Sequence, residues 1–304
     1  MRALVTGASG FVGLHLVGHL EAAGDRVTAG DRRAGGPDLL DPTALRDWVG
    51  ANHPDVVYHL AAFSSVAESW DDPAATFRTN AEGTLNLLLA CRDAGVGRVV
   101  CIGSADVYGK VAPDELPVDE TTPMRPHSPY AASKAAAEQA AVWAGYGLGL
   151  DVIRVRAFNH LGPGQSPRFV AAALAHRVAH NELTDGSVVT VGNLDARRDF
   201  TDVRDVVRAY RLLAEAGTAG EVYNVASGVD RAVRDLAEHY LARANRPMSL
   251  EIDPELFRPV DVPVVRGDAS KLRAATGWVP EVPFDQTLDD LLDDARLTAR
   301  SAVA

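Results

Sequence analysis

The sequence predicts an α/β protein: a doubly wound parallel sheet followed by a smaller C-terminal α/β region. Three observations carry this. Short apolar runs alternate with helical stretches through the first half. A glycine-rich turn joins the first run to the first helix. A serine at a later strand end precedes a Tyr-x-x-x-Lys pair on a helix. A βαβα order makes the strands parallel and puts helices on both faces.

The elements are expected in this order. Ala3 to Thr6 reads as a strand, Phe11 to Ala23 as a helix and Arg26 to Gly30 as a second strand. Helix Pro42 to Ala51, strand Asp55 to Ala61, helix Ala81 to Ala94 and strand Arg98 to Ile102 follow. Helix Pro129 to Gly145 and strand Leu150 to Arg156 complete the regular part. Gly162-Pro163-Gly164 then breaks the chain. Beyond it come helix Arg168 to Asn181, strand Ser187 to Val191, helix Val203 to Ala216 and strand Glu221 to Ala226. Pro254 to Pro263 reads as an ordered loop. Residues 1–160 are expected to form a dinucleotide-binding domain of the Rossmann type. Residues 161–304 are expected to be mainly substrate-binding, with about 197–227 returning to the first core.

Composition narrows the class. The chain has 304 residues and a formal net charge of -11, a length for one large domain or two small ones. No apolar run approaches the ~20 residues that span a bilayer, and no signal peptide is apparent. Cys91 and Cys101 are too few for a disulfide framework or a zinc site, so a cytoplasmic location is expected. The acidic balance argues against nucleic acid, which needs a basic stripe. His15, His19, His53 and His59 lack metal-ligating company and read as structural; no metal site is expected. His127 is placed in a loop.

Thr6-Gly7-Ala8-Ser9-Gly10-Phe11-Val12-Gly13 lies between the first strand and the first helix. Glycines at 7, 10 and 13 allow a tight turn, close approach to a pyrophosphate and close helix–strand packing. The helix N-terminus favours phosphate. Asp31 ends the second strand, about 20 residues further on, where a carboxylate holds ribose hydroxyls and favours NAD(H). Arg32 and Arg33 follow and could instead hold a 2′-phosphate, which keeps NADP(H) open. Asp38-Leu39 is a candidate adenine contact. Asp202 is expected to cap the helix that follows it.

Reducing a ketone needs a proton donor at the carbonyl oxygen, something that tunes that donor, and a second hydrogen bond that orients the oxygen. Tyr130, Lys134 and Ser104 supply these three parts. Tyr130 and Lys134 are four apart and share a helix face. A free phenol titrates near ~10, and a nearby ammonium lowers that value.

Together with His59-Leu60-Ala61-Ala62, Arg198-Asp199-Phe200-Thr201-Asp202 and Gly277-Trp278-Val279-Pro280, these residues resemble the extended short-chain dehydrogenase/reductase family that acts on nucleotide-activated sugars. Within it, Gly103 to Val111, Phe158 to Gln165 and Val265-Arg266-Gly267 are most similar to the GDP-4-keto-6-deoxy-D-mannose reductases. The resemblance implies Ser104, Tyr130 and Lys134 as catalytic residues. It implies Gly7, Gly10, Phe11, Val12, Gly13, Asp31, Arg32, Asp38, Leu39, Leu60, Ala61 and Ala62 around the cofactor, with Tyr130 and Lys134. Substrate contacts are implied for Ser104, Asp106, Asn159, Gln165, Arg168, Phe169, Arg198 and Arg258. Arginines suit a diphosphate because guanidinium grips its oxygens bidentately.

The expected reaction is NAD(P)H-dependent reduction of the C4 ketone of a nucleotide-activated 4-keto-6-deoxy sugar, GDP-4-keto-6-deoxy-D-mannose to GDP-D-rhamnose. The alternatives are a 4-epimerase or 4,6-dehydratase, and a dinucleotide-binding protein without catalysis. Two features depart from the family. Ala157 stands where proline is usual, and Ser-Ala-Asp at 104–106 replaces the threonine and glutamate of the dehydratases, leaving a carboxylate one methylene shorter. A homodimer through helices Ala81 to Ala94 and Pro129 to Gly145 is also implied.

Overall fold

The structure is a computed structural model that describes residues 1–33, 35–257 and 262–303. Strand β1 (Arg2–Thr6) runs through the glycine turn into helix α1 (Phe11–Ala22), then β2 (Arg26–Gly30), α2 (Pro42–Asn52) and β3 (Val56–His59). A short helix α3 (Pro73–Phe77) and a π-helical turn (Arg78–Glu82) lead into α4 (Gly83–Asp93). Next come β4 (Arg98–Ile102), the long α5 (Pro129–Leu148), β5 (Val152–Ala157) and β6 (Asn159–Leu161). Helix α6 (Val170–Thr184), β7 (Val188–Val191), β8 (Arg197–Asp202), α7 (Val203–Ala216) and β9 (Val222–Val225) follow. The remainder is β10 (Asp230–Ala232), α8 (Val233–Arg243), β11 (Ser249–Ile252), β12 (Val264–Val265), α9 (Ser270–Thr276) and α10 (Phe284–Val303).

Six strands form a parallel sheet in the order β2-β1-β3-β4-β5-β9. The chain steps outward from β1 to β2, then returns past β1 to β3. That reversal opens a crevice beyond the carboxyl ends of β1 and β3, where ligands of such sheets bind. Leu16 and Leu20 of α1 pack with Val206, Tyr210 and Leu213 of α7 on one face. Leu45, Val49, Leu87, Leu88, Ala141 and Ala144 of α2, α4 and α5 cover the other. Each fully buried leucine contributes roughly 1.5–3 kcal/mol, so both faces are firmly clad.

A second sheet, β10-β8-β12 with β6 also on β8, lies beyond β5, and β7 pairs with β11. Helices α6, α8 and α10 build their own core there from Leu174, Val178, Leu236, Tyr240, Leu288 and Leu291. Arg197–Asp202 pairs with β6, β10 and β12, so the return to the first core begins at α7 rather than near 197. Asp202 caps α7 as expected, its Oδ1 accepting from the Arg204 amide at 2.7 Å. The helix expected from Ala81 starts two residues later because the π-helical turn precedes it. Trp278 is fully buried and donates to the Asp205 carbonyl at 2.9 Å, so the Gly-Trp-Val-Pro motif is structural.

Candidate active site

The glycine turn meets the crevice by close backbone approach. Gly7 has φ +72°, and a Cβ there would lie 2.7 Å from the Ala61 nitrogen; one at Gly13 would lie 2.2 Å from the Gly7 carbonyl oxygen. Both positions therefore require glycine. Gly10 is exposed and lines the cavity, with only the Gly7 carbonyl near a Cβ, at 3.2 Å. This cradle beside a helix N-terminus fits a pyrophosphate.

A cavity of about 750 Å³ runs from this cradle across the carboxyl ends of the strands to Arg198 on β8. It is lined by Gly7, Gly10, Phe11, Val12, Gly13, Asp31, Arg32, Asp38, Leu39, Leu60, Ala61 and Ala62 at one end. Ser104, Asp106, Tyr130 and Lys134 stand in the middle, and Asn159, Gln165, Arg168, Phe169 and Arg198 at the other end. Every expected site residue among the described residues meets here; Arg258 lies outside them.

Helix α5 brings the central pair. Ser128 caps it, its Oγ accepting from the Ala131 amide at 3.1 Å, and Pro129 occupies the first turn. The Tyr130 amide donates to Ser69 Oγ at 3.2 Å. The Tyr130 carbonyl accepts from Ser133 Oγ at 2.7 Å, and Ser133 in turn accepts from Asn80 Nδ2 at 2.9 Å. The π-helical turn thus fixes the first turn of α5. Ser104 follows β4 and caps a 3₁₀ turn, accepting from the Asp106 amide at 3.2 Å. Ser104, Tyr130 and Lys134 are each 8% exposed, so their donors sit in low dielectric, where directed hydrogen bonds count most.

Burial pushes the Tyr130 phenol well above its ordinary value; the Asp106 carboxylate adds to the rise, and a hydrogen bond with Ser104 opposes it. Burial pushes Lys134 down to about 8. Its ammonium donates to the Ile102 carbonyl at 2.9 Å. The expected lowering of Tyr130 by Lys134 is therefore not what this geometry produces. The reason is that burial disfavours the phenolate itself, and the Asp106 carboxylate adds to that.

Asp31 is not an open carboxylate. Its Oδ2 accepts from the Ser9 amide at 2.7 Å and Ser9 Oγ at 2.6 Å, and its Oδ1 from the Arg33 amide at 2.9 Å. Arg32 pairs with Asp38 at 3.3 Å. Arg198 donates to the carbonyls of Arg197 and Val262 at 2.8 and 2.7 Å, which sets the angle of its guanidinium. Arg168, which lines the cavity, pairs with Glu68 at 3.0 Å. Gln165 is buried and donates to the His160 carbonyl at 2.8 Å, and the His160 ring stacks on Phe11.

Sequence reasoning missed Ser9, His160, Tyr210 and the segment from Ser64 to Ala67, all of which line the cavity. Ser9 is the only hydroxyl between Gly7 and Gly13, the one local signal it leaves. The others are placed by distant parts of the chain and leave no local signal. His59, read as structural, is fully buried between Thr6 and Thr84 at 2.8 and 2.9 Å, and burial lowers it to about 3.

A family model described as GDP-mannose 4,6 dehydratase matches residues 35–291. The chain belongs to the extended short-chain dehydrogenase/reductase family. It is 41% identical to a GDP-6-deoxy-D-mannose reductase from Pseudomonas aeruginosa, over 96% of each chain. The structure of RMD from Pseudomonas aeruginosa complexed with NADPH superposes with a TM-score of 0.90 at 39% identity, covering 98% of this chain and 100% of that one. The UDP-glucose 4-epimerase of Thermus thermophilus, in complex with NAD, gives 0.87 at 34% identity, covering 97% and 99%. This family member is an NAD(P)-dependent oxidoreductase of nucleotide-sugar metabolism. No helix among the described residues is long and apolar enough to cross a membrane.

Proposed function

We propose that the chain reduces the C4 ketone of GDP-4-keto-6-deoxy-D-mannose to the alcohol of GDP-D-rhamnose. One observation carries the reading: Ser104, Tyr130 and Lys134 line a single cavity with the glycine cradle and Arg198, in a chain alike end to end to a GDP-6-deoxy-D-mannose reductase. Residues 1–160 hold the dinucleotide, and residues 161–304 mainly hold the sugar nucleotide.

Bound nicotinamide dinucleotide supplies the hydride to C4. Tyr130 gives its phenolic proton to the C4 oxygen as charge develops there, and Ser104 donates a hydrogen bond to the same oxygen. Burial and Asp106 keep the Tyr130 phenol protonated before reaction. Lys134 braces the end of β4 and faces the cofactor ribose. Gly7, Gly10, Phe11, Val12 and Gly13 receive the pyrophosphate, Asp31 with Arg32 the adenosine ribose, and Asp38 and Leu39 the adenine. Leu60, Ala61 and Ala62, which line the same end of the cavity, would pack against the bound dinucleotide. Arg198 and Arg258 hold the substrate diphosphate, with Asp106, Asn159, Gln165, Arg168 and Phe169 around the sugar and nucleoside. Asp31 favours NAD(H), and NADP(H) is also admitted.

A homodimer is proposed through α4 and α5, supported by Trp143 and Tyr146 of α5, which are 47% and 88% exposed. Light scattering that shows a monomer at micromolar concentration would remove it. A reducing cytoplasm suits Cys91 and Cys101, both free and buried.

The test is a panel of nucleotide sugars offered with NADH and with NADPH, with products read by NMR. The expected outcome is reduction of the GDP-4-keto-6-deoxy sugar to a single C4 alcohol, with one equivalent of dinucleotide consumed. A 4-keto-6-deoxy product from GDP-mannose without added reductant would overturn it in favour of a dehydratase.

A further inference from the structure

We propose that Ser9 is a specificity-determining residue: by latching Asp31, it blunts the preference for a dinucleotide lacking a 2′-phosphate. This rests on the dinucleotide reading of the glycine turn.

Both Ser9 donors converge on one oxygen of Asp31, at 2.7 Å from the amide and 2.6 Å from Oγ. A carboxylate offers about four acceptor sites over its two oxygens, so Ser9 alone fills Oδ2. Gripping the two ribose hydroxyls takes both oxygens, and Oδ2 joins that grip only if Ser9 gives way. The same donors offset the carboxylate's charge, which weakens its repulsion of a 2′-phosphate. Arg32 and Arg33 follow Asp31 in sequence and line the same cavity, and guanidinium is well matched to phosphate oxygens. The Arg32–Asp38 pair is exposed, with the arginine side chain 79% accessible, so it yields at little cost. A carboxylate in the ordinary NAD position is thereby made tolerant of both dinucleotides.

The experiment titrates the full chain with NADH and with NADPH, following ligand fluorescence for Kd and initial rates for kcat/KM. For the wild type, the two Kd values are expected within about tenfold of each other. Ser9→Ala removes the hydroxyl latch and is expected to shift the ratio about fivefold toward NADH, the worth of one ordinary hydrogen bond. Ser9→Gly repeats the test should Ser9→Ala fold poorly, and Ser9→Thr, which keeps a hydroxyl, restores the wild-type ratio. An unchanged ratio, or equal losses for both dinucleotides, overturns the inference and leaves Ser9 a structural turn residue. A shift toward NADPH also overturns it, because Ser9 would then be orienting Asp31 for ribose. A wild-type chain that binds neither dinucleotide overturns the cofactor reading itself.

Discussion

The Lys134 ammonium reaches from the second turn of α5 to the carbonyl of Ile102, 2.9 Å away at the end of β4. It ties the helix that carries Tyr130 to the strand end that presents Ser104, two residues further along. One buried cation thus sets the relative position of the proposed acid and its partner hydroxyl.

That placement costs stability. Burial holds Lys134 at about 8 in the folded chain, below its ordinary 10.5. Between these two values the unfolded chain binds more protons than the folded one, so this residue's contribution rises with pH across that window and is lost as pH falls through 8. Lys134→Met is expected to stabilise the chain at pH 7. Each pH unit of depression is worth about 1.4 kcal/mol, less about 1 kcal/mol for the lost hydrogen bond. Urea unfolding of both forms at pH 7 and near pH 10 checks this. The gain should shrink at the higher pH, and a variant no more stable than wild type at pH 7 defeats the claim.

Tyr130→Phe removes the proposed proton donor and little else, since the ring stays buried in the same place. Turnover is expected to fall by at least about 10³-fold, at the upper part of the usual range for acid–base groups. The Kd for dinucleotide should stay within about threefold of wild type. Residual activity above a tenth of wild type would show that another group gives the proton.

Asp106 raises the Tyr130 phenol by its charge, so Asp106→Asn should lower the phenol's value and move the basic limb of the kcat/KM profile to lower pH. Ketone reduction at pH 7 should stay within about tenfold, because the carboxylate is not the donor. Were Asp106 the base of a dehydration, its loss would cost orders of magnitude. A collapse of activity in Asp106→Asn therefore favours the dehydratase reading.

Local spacing explains what could be read before the structure. Gly7, Gly10 and Gly13 act within one turn, and Tyr130 and Lys134 within one helix, so their relation is written in neighbouring residues. Strands β1, β3, β4 and β5 were legible because each is a largely buried apolar run between helices, and β2, which is mostly part-exposed, because it falls between two helical stretches. Strands such as Val264–Val265 and Asn159–Leu161 are too short to show a period, and their partner β8 is far along the chain. The Ser9–Asp31 latch spans 22 residues and exists because β2 lies beside β1, which no motif records. The Lys134–Ile102 bond is hidden from the sequence for the same reason: it depends on how α5 sits against β4.

Arg198→Ala should separate substrate from cofactor binding. Arg198 lines the proposed substrate end of the cavity, and its guanidinium is aimed by the carbonyls of Arg197 and Val262. KM for the nucleotide sugar is expected to rise about tenfold or more, as loss of a charge-assisted hydrogen bond implies. Dinucleotide Kd should move less than twofold. Parallel losses in both would mean that Arg198 holds the fold rather than the diphosphate.

Behind the site, Glu138 of α5 and Arg156 of β5 form a two-pronged ion pair, at 2.8 and 3.0 Å, with side chains 3% and 6% exposed. Arg156 also donates to the Tyr108 hydroxyl at 3.0 Å, and that hydroxyl donates to Asn224 Oδ1 at 2.6 Å. The network joins α5, β5, β9 and the turn after Ser104, one helical turn beyond Lys134. Glu138→Ala leaves a buried guanidinium without its carboxylate, a change that costs about 3–5 kcal/mol. Glu138→Leu combined with Arg156→Met removes this pair of charges and should recover about half of that loss, since apolar replacements escape the desolvation penalty; Arg154, 3.4 Å from Glu138, loses that partner in both variants and keeps its bond to the Gly220 carbonyl. Thermal unfolding of the two variants decides the matter. Equal destabilisation in both would mean that packing around Tyr108, not charge pairing, is what the network supplies.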